Sequence, residues 1–240
     1  MNPGKHQVRS KKLPVVIYKR LGKELVRSRP TVVRLTEGTI RSASNFGRAS
    51  AAASAIRRNI NAMLPNPTDR SMQYRLNQKI SRWINLLAFP GELGRLKDEF
   101  SFNSKSRFLS RFKVDIKIDW RPGEAILKIP AFDPLVQISR PSGANAVNIH
   151  VKLLNLCTNR PFIVYSEEAA FQFSLNDGMQ VERELSFPLK NGEDILHLML
   201  MAFTPLEFHG AGLEPVSHPR WLPVDVIDVR GGSDGNALAS

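Results

Sequence analysis

Through the second half of the chain, apolar and polar residues alternate in short runs. Val114-Asp115-Ile116-Lys117-Ile118-Asp119-Trp120 alternates without a break, and so does Val147-Asn148-Ile149-His150-Val151-Lys152-Leu153. A period of two is the pattern of a strand that buries one face. Ala125–Ile129, Ala169–Leu175, Met179–Phe187, Ile195–Phe203 and Val224–Val229 extend the set. Ile195–Phe203 is apolar on both faces apart from His197, which predicts a central, fully covered strand. Asn176-Asp177-Gly178 stands between two of the runs and predicts a tight hairpin turn, because such turns need residues that tolerate positive φ. Short strands at regular spacing with turn residues between them predict an antiparallel β-sandwich.

The first half has other periods. Leu13–Tyr18 and Glu24–Arg29 are β-prone runs around Leu21-Gly22-Lys23, and they predict a hairpin that Pro30 ends or confines to an edge. From about Ile40 to Leu64 the spacing turns helical: Ile40, Ala43, Phe46, Ala49, Ala53, Ile56, Ile60 and Met63 form one predicted buried stripe, stopped by Pro65 and Pro67. A second helix is predicted over Asp69–Ala88, with Thr68 as N-cap and Met72, Leu76, Ile80, Trp83 or Ile84, and Leu87 as its apolar stripe. The short connection between them predicts a helical hairpin. Residues 90–112 hold Phe100, Phe102, Phe108 and Phe112 among glycines and serines and show no clean period.

Charge divides the chain more sharply than pattern does. The formal net charge is +12, and residues 1–60 carry fourteen Lys and Arg against Glu24 and Glu37 alone, while residues 61–240 carry twenty of each sign. A local excess of this kind marks a basic arm or docking face. Clustered cations attract polyanions by counterion release, an attraction that salt weakens. The candidate polyanion-binding residues are Lys5, Arg9, Lys11, Lys12, Lys19, Arg20, Lys23, Arg27, Arg29, Arg34, Arg41 and Arg48, with Tyr18 available for stacking. No helix-turn-helix, zinc-finger or aromatic RNA-sheet signature accompanies them, so any nucleic-acid contact would be to the backbone rather than to bases. The partner is an acidic polymer such as nucleic acid, an acidic protein surface, or another copy of the chain. A membrane surface fits poorly, because the helix beginning near residue 40 is rich in small residues and lacks a bulky aromatic face.

Catalytic and metal chemistry finds little in the sequence. The closest metal-like grouping, Glu207-Phe208-His209 with His218, lies in a stretch that reads as a Gly/Pro-rich loop. His197, inside an apolar run, reads as a core histidine held by a neighbouring strand or side chain, and His150 as an exposed residue on a polar strand face. Cys157 is the one cysteine, so no intrachain disulfide forms, and its setting reads as a strand end with a small buried side chain. Asp115 with Asp119 and Glu182 with Glu184 fall on solvated strand faces by parity. Gly210-Ala211-Gly212 lacks the strand-then-helix context of a nucleotide-binding turn, and no cofactor motif is present. The reading is therefore of a non-enzyme without a cofactor or metal.

Val16–Pro30 ends in Arg27-Ser28-Arg29-Pro30 and is followed by a helix carrying Phe46 and Arg48; Met179–Leu189 and Ile195–Phe203 then place an alternating strand, a Pro-Leu exit and an apolar strand in order. In this arrangement the chain resembles a group of uncharacterised small bacterial proteins built from a basic N-terminal hairpin and helices followed by an all-β domain. The resemblance implies an architecture and no activity, so no functional residue is carried over from it.

The sequence thus predicts an α+β fold: a disordered basic arm over 1–12, a basic hairpin and helical region over 13–112, a β-sandwich over 113–230 and a disordered tail over 231–240. With no secretion signal and no apolar run that could span a bilayer, a cytoplasmic location is expected. The expected function is that of a non-catalytic structural or assembly protein, with a basic N-terminal region that docks on an acidic partner and a sandwich as rigid body. The alternative is sequence-independent nucleic-acid binding through the arm and the Arg-rich helix.

Overall fold

The computed structural model describes residues 15–20, 22–28, 36–65, 69, 71–85, 91–157, 164–192 and 195–231. The chain divides into two compact units, Met1–Ala43 and Ser44–Ser240. The fold is α+β, with every sheet antiparallel.

In the first unit β1 (Val15–Arg20) and β2 (Lys23–Ser28) pair as the predicted hairpin, from Val15 opposite Ser28 to Arg20 opposite Lys23. Gly22 takes φ +78° in the turn, a conformation that glycine adopts at no steric cost. α1 (Glu37–Ala62) begins in this unit and runs on into the second. Its start is set by Thr36, whose Oγ1 accepts from the Thr39 amide at 3.2 Å, with Glu37 in the first turn complementing the helix dipole. The predicted stripe holds only in part. Ala49, Ala53, Ile56, Ile60 and Met63 are buried, whereas Ile40, Ala43 and Phe46 are exposed. A helical period shows which residues share a face; it does not say how far along the helix a core extends.

In the second unit α2 (Met72–Asn85) buries Met72, Leu76, Ile80 and Trp83. Thr68 lies outside the described residues, and Asp69 performs the capping: its Oδ1 accepts from the Ser71 amide at 2.8 Å and the Met72 amide at 3.2 Å. The stretch without a clean period folds into a short 3-10 turn (Gly91–Arg95) running into α3 (Leu96–Glu99), and then α4 (Phe108–Arg111). β3 (Lys117–Arg121) and β4 (Glu124–Ile129) follow, then α5 (Pro134–Gln137), β5 (Ala146–Cys157), β6 (Val164–Ser174), β7 (Arg183–Pro188), β8 (Ile195–His209), β9 (Gly212–Pro215) and β10 (Val224–Gly231). One sheet has the order β10-β8-β5-β6, with β9 also paired to β8; a smaller one has the order β3-β4-β7.

Strand parity explains how the larger sheet serves two cores. Leu196, Leu198, Leu200 and Ala202 of β8 join Leu154 and Leu156 of β5 in a cluster with Ile56, Ile60, Leu76 and Ile80 of the helices. Met199, Met201 and Phe203 point the other way and join Val147, Ile149 and Val151 with Leu127, Ile129 and Phe187 of the smaller sheet. A strand covered on both faces is apolar where both layers meet it, as residues 198–203 of β8 are. Phe100 and Phe102 belong to the first cluster and Phe108 and Phe112 to the second, so residues 100–112 carry the chain from one face of the sheet to the other. Asn103 secures that passage, donating from Nδ2 to the carbonyls of Pro219 (2.7 Å) and Leu222 (2.9 Å).

The Asn176-Asp177-Gly178 turn forms, with Gly178 at φ +73°, but it does not close a hairpin. β6 pairs with β5 and β7 with β4, so the turn hands the chain from one sheet to the other. Turn chemistry fixes a local reversal; which sheet receives the next strand is decided by long-range pairing.

Candidate polyanion interface

Residues opposite one another in an antiparallel pair share a face. The register of the hairpin therefore sorts its side chains into two sets. One face carries Val15, Ile17, Lys19, Glu24 and Val26, and its single cation is paired: Lys19 Nζ lies 3.7 Å from Glu24 Oε1. The other face carries Tyr18, Arg20, Lys23, Leu25 and Arg27. It holds three cations, no acid and one aromatic ring, and none of the three has an ion pair among the described residues. Arg20 stands directly opposite Lys23. Like charges in that relation destabilise a hairpin, and an anion placed between them relieves the repulsion.

The remaining predicted residues are distributed as follows. Arg41 and Arg48 are exposed on α1, in the first and second unit respectively. Lys5, Arg9, Lys11, Lys12, Arg29 and Arg34 lie outside the described residues, as do residues 1–12 and most of the tail 231–240 expected to be disordered; Gly231 is instead the last residue of β10.

A second basic surface went unnoticed in the sequence. Arg75, Lys79 and Arg82 follow helical i, i+4, i+7 spacing on α2 and line a shallow groove with Gln78, Glu99 and Phe100. Most of its charge is already answered. Arg75 Nη2 meets Asp69 Oδ2 at 2.5 Å and its Nη1 donates to the Ser101 carbonyl at 2.8 Å, while Lys79 is bonded to Glu99. That hydrogen bond is the main reason Glu99 stays below the usual carboxylate range. Elsewhere Arg111 stacks on Trp221, 4.1 Å from guanidinium carbon to ring centroid, and Arg220 lies against the same ring.

The histidines and acids of the second unit serve the fold. His197 is buried on β8, and its Nδ1 lies 2.6 Å from Asn155 Oδ1, an arrangement in which the imidazole N–H donates to the amide oxygen. Burial, with Arg230 adding to it, lowers its pKa to about 4. A core histidine held by a neighbour was the expectation, and Asn155 is that neighbour. His150 is half-buried rather than exposed, with Nε2 2.9 Å from Asn148 Nδ2, and burial lowers its pKa. Asp225 on β10 is buried and accepts from the Phe108 amide at 2.7 Å; burial outweighs that bond and raises its pKa to about 6. Glu207, Phe208 and His209 end β8 and pair with β9, where a loop was expected, and His218 accepts from the Arg220 amide. Cys157 is half-buried at the end of β5. Among the described residues no group of three or more His, Cys, Asp or Glu side chains stands close enough to hold a metal ion, and no helix is long and apolar enough to cross a membrane.

The cationic hairpin face is therefore the strongest candidate site among the described residues. Comparison of the chain with protein-family models, curated proteins and solved structures finds no match.

Proposed function

We propose that this is a non-catalytic structural or assembly protein whose basic N-terminal hairpin docks on an acidic protein surface, with the two-sheet body as its rigid part. The observation that supports this reading is the composition of the hairpin itself. A two-stranded ribbon is marginal in water without something to pack on. This one leaves Ile17, Tyr18, Leu25 and Val26 between 38% and 66% exposed, and it sets Arg20 against Lys23. An acidic surface with some apolar area answers both deficits: carboxylates separate the like charges, and contact covers the side chains. Charge then steers the encounter and the apolar contact holds it.

A second reading, backbone binding to single-stranded nucleic acid, is favoured by one feature. Tyr18 lies between Arg20 and Arg27 on the cationic face, an arrangement that offers a base a ring to stack on and the phosphates two cations.

Titration of the full chain against poly-L-glutamate and against a single-stranded DNA homopolymer, at low and moderate salt, separates the two. The variant R20Q/K23Q/R27Q removes the cationic face without adding charge. On the docking reading it weakens poly-glutamate binding at least tenfold while circular dichroism stays unchanged. Binding to DNA alone would favour the second reading, and binding to neither would remove both.

A further inference from the structure

The second unit offers one surface with the features this hairpin requires. We infer that the acidic partner is a second copy of this chain, and that the hairpin of one copy adds to the outer edge of β6 in another. The inference rests on the docking reading above and names its partner.

Open strand edges invite pairing, and proteins that stay apart cover or interrupt them. The other edges here are so treated. The Gly91–Arg95 turn and α3 lie along β10, which also carries a register shift between Val226 and Asp228. Asp228 beside that shift accepts from Lys97 of α3 (3.3 Å) and from the Trp120 indole of β3 (2.9 Å), tying both neighbours to the edge. β3 is five residues long with three charged side chains, β7 ends in Pro188, and β9 has four residues. β6 shares with β3 only the presence of charged side chains, Glu167 and Glu168, and with β10 only a neighbour, β7, whose Arg183 guanidinium lies 5.0 Å from the Phe171 ring centroid. It runs for eleven residues, pairs with β5 alone among the described strands, and contains neither Pro nor Lys nor Arg.

Its chemistry is complementary to the hairpin. β6 carries Glu167 and Glu168 on opposite faces, as neighbours in a strand must. Glu168 is occupied, its Oε2 lying 2.8 Å from the buried Lys152 ammonium. Glu167 has no ion pair among the described residues and shares its face with Tyr165, which is half-exposed. The cationic hairpin face offers the matching set: Arg20, Lys23 and Arg27 for the carboxylate, Tyr18 and Leu25 for the ring. Lys190 already lies over Tyr165, 5.4 Å from the ring centroid, so the incoming cations belong at the Glu167 end. Lys19 and Glu24, which neutralise each other, then lie on the Glu168 side, where no further cation is needed. Main-chain hydrogen bonds along the added strand supply affinity, and these side chains set its face.

The test is light scattering on the full chain after size exclusion, over a hundredfold range of concentration. The wild type is expected to show a mass above that of one chain. R20E/K23E/R27E and Glu167→Lys are each expected to weaken self-association at least tenfold, and an equimolar mixture of the two variants to recover it by restoring opposite charges. The hairpin positions are exposed and Glu167 is partly exposed, and unchanged circular dichroism shows that the variants fold. A wild type that stays monomeric throughout, or oligomers that persist in both variants, would overturn the inference. In the first case poly-glutamate decides what survives: binding that depends on the hairpin leaves the docking reading intact with another partner, and no binding removes both.

Discussion

Asp225 and His197 stand on neighbouring strands of one sheet, and burial shifts both toward the neutral form, for Asp225 against the attraction of nearby Arg107. The consequences for stability have opposite signs. The folded-state pKa of Asp225 is raised to about 6, so the folded state binds the proton more tightly, and acidification from pH 6 to 4 stabilises the fold. That contribution is complete below pH 4 and lost as pH rises through 6; two pKa units correspond to about 3 kcal/mol. His197 is lowered to about 4, so over pH 6.5 to 4 the unfolded state takes up its proton first and acidification destabilises. The two responses oppose each other over most of the same window. Asp225→Asn keeps an oxygen for the Phe108 amide and removes the carboxyl. Its unfolding free energy should fall more steeply than wild type between pH 6.5 and 4 in urea titrations. His197→Asn, which keeps a donor for Asn155, should instead become more stable over that interval. Equal slopes in all three proteins would show that neither group titrates as its burial requires.

At the scale of elements, α2 depends on a residue outside its own span. Asp69 gathers the Ser71 and Met72 amides, the Ser104 amide at 3.2 Å and the Arg75 guanidinium. Burial alone would raise its pKa, but the hydrogen bonds from Ser71 and Ser104 overcome that and hold the carboxyl well below the usual range. Its contribution is therefore present at every pH above about 4 and lost only in strong acid. Asp69→Ala should cost about 1–3 kcal/mol in chemical denaturation at pH 7, by removing the cap and leaving Arg75 partly buried. The sequence pattern reached some elements and not others. Each of the seven alternating or apolar runs contains a strand, because burial of one or both faces is written residue by residue into the run, though β3 starts only at Lys117 and β7 only at Arg183. The hairpin register was equally local, and its cationic face follows from counting outward from Gly22. The partners of β6 and β7 were not legible, since Asn176-Asp177-Gly178 would turn the chain into either sheet. Nor was the isolation of Arg20, Lys23 and Arg27, because Arg75 and Lys79 have the same composition and differ only in having Asp69 and Glu99 beside them.

Within the second unit, one sheet holds two cores that have no side chain in common. Leu198 and Met199 are adjacent on β8, both fully buried, and each belongs to a different cluster. Leu198→Ala and Met199→Ala should each cost about 2–5 kcal/mol. Because β8 and β5 are structural members of both layers, each variant should lower a single midpoint seen alike by tryptophan fluorescence and far-ultraviolet circular dichroism. A transition split between the two probes would mean that the helical layer unfolds independently of the smaller sheet. The shared strand also has a bearing on the order in which the chain is made. The apolar sides of α1 and α2 close against Leu198, Leu200, Val224 and Val226. From Ile56 to Val224 is about 170 residues, so at cellular rates of synthesis the helices wait roughly ten to thirty seconds for the surface that covers them. Throughout that interval the apolar sides of α1 and α2 lack the strands that cover them in the folded chain.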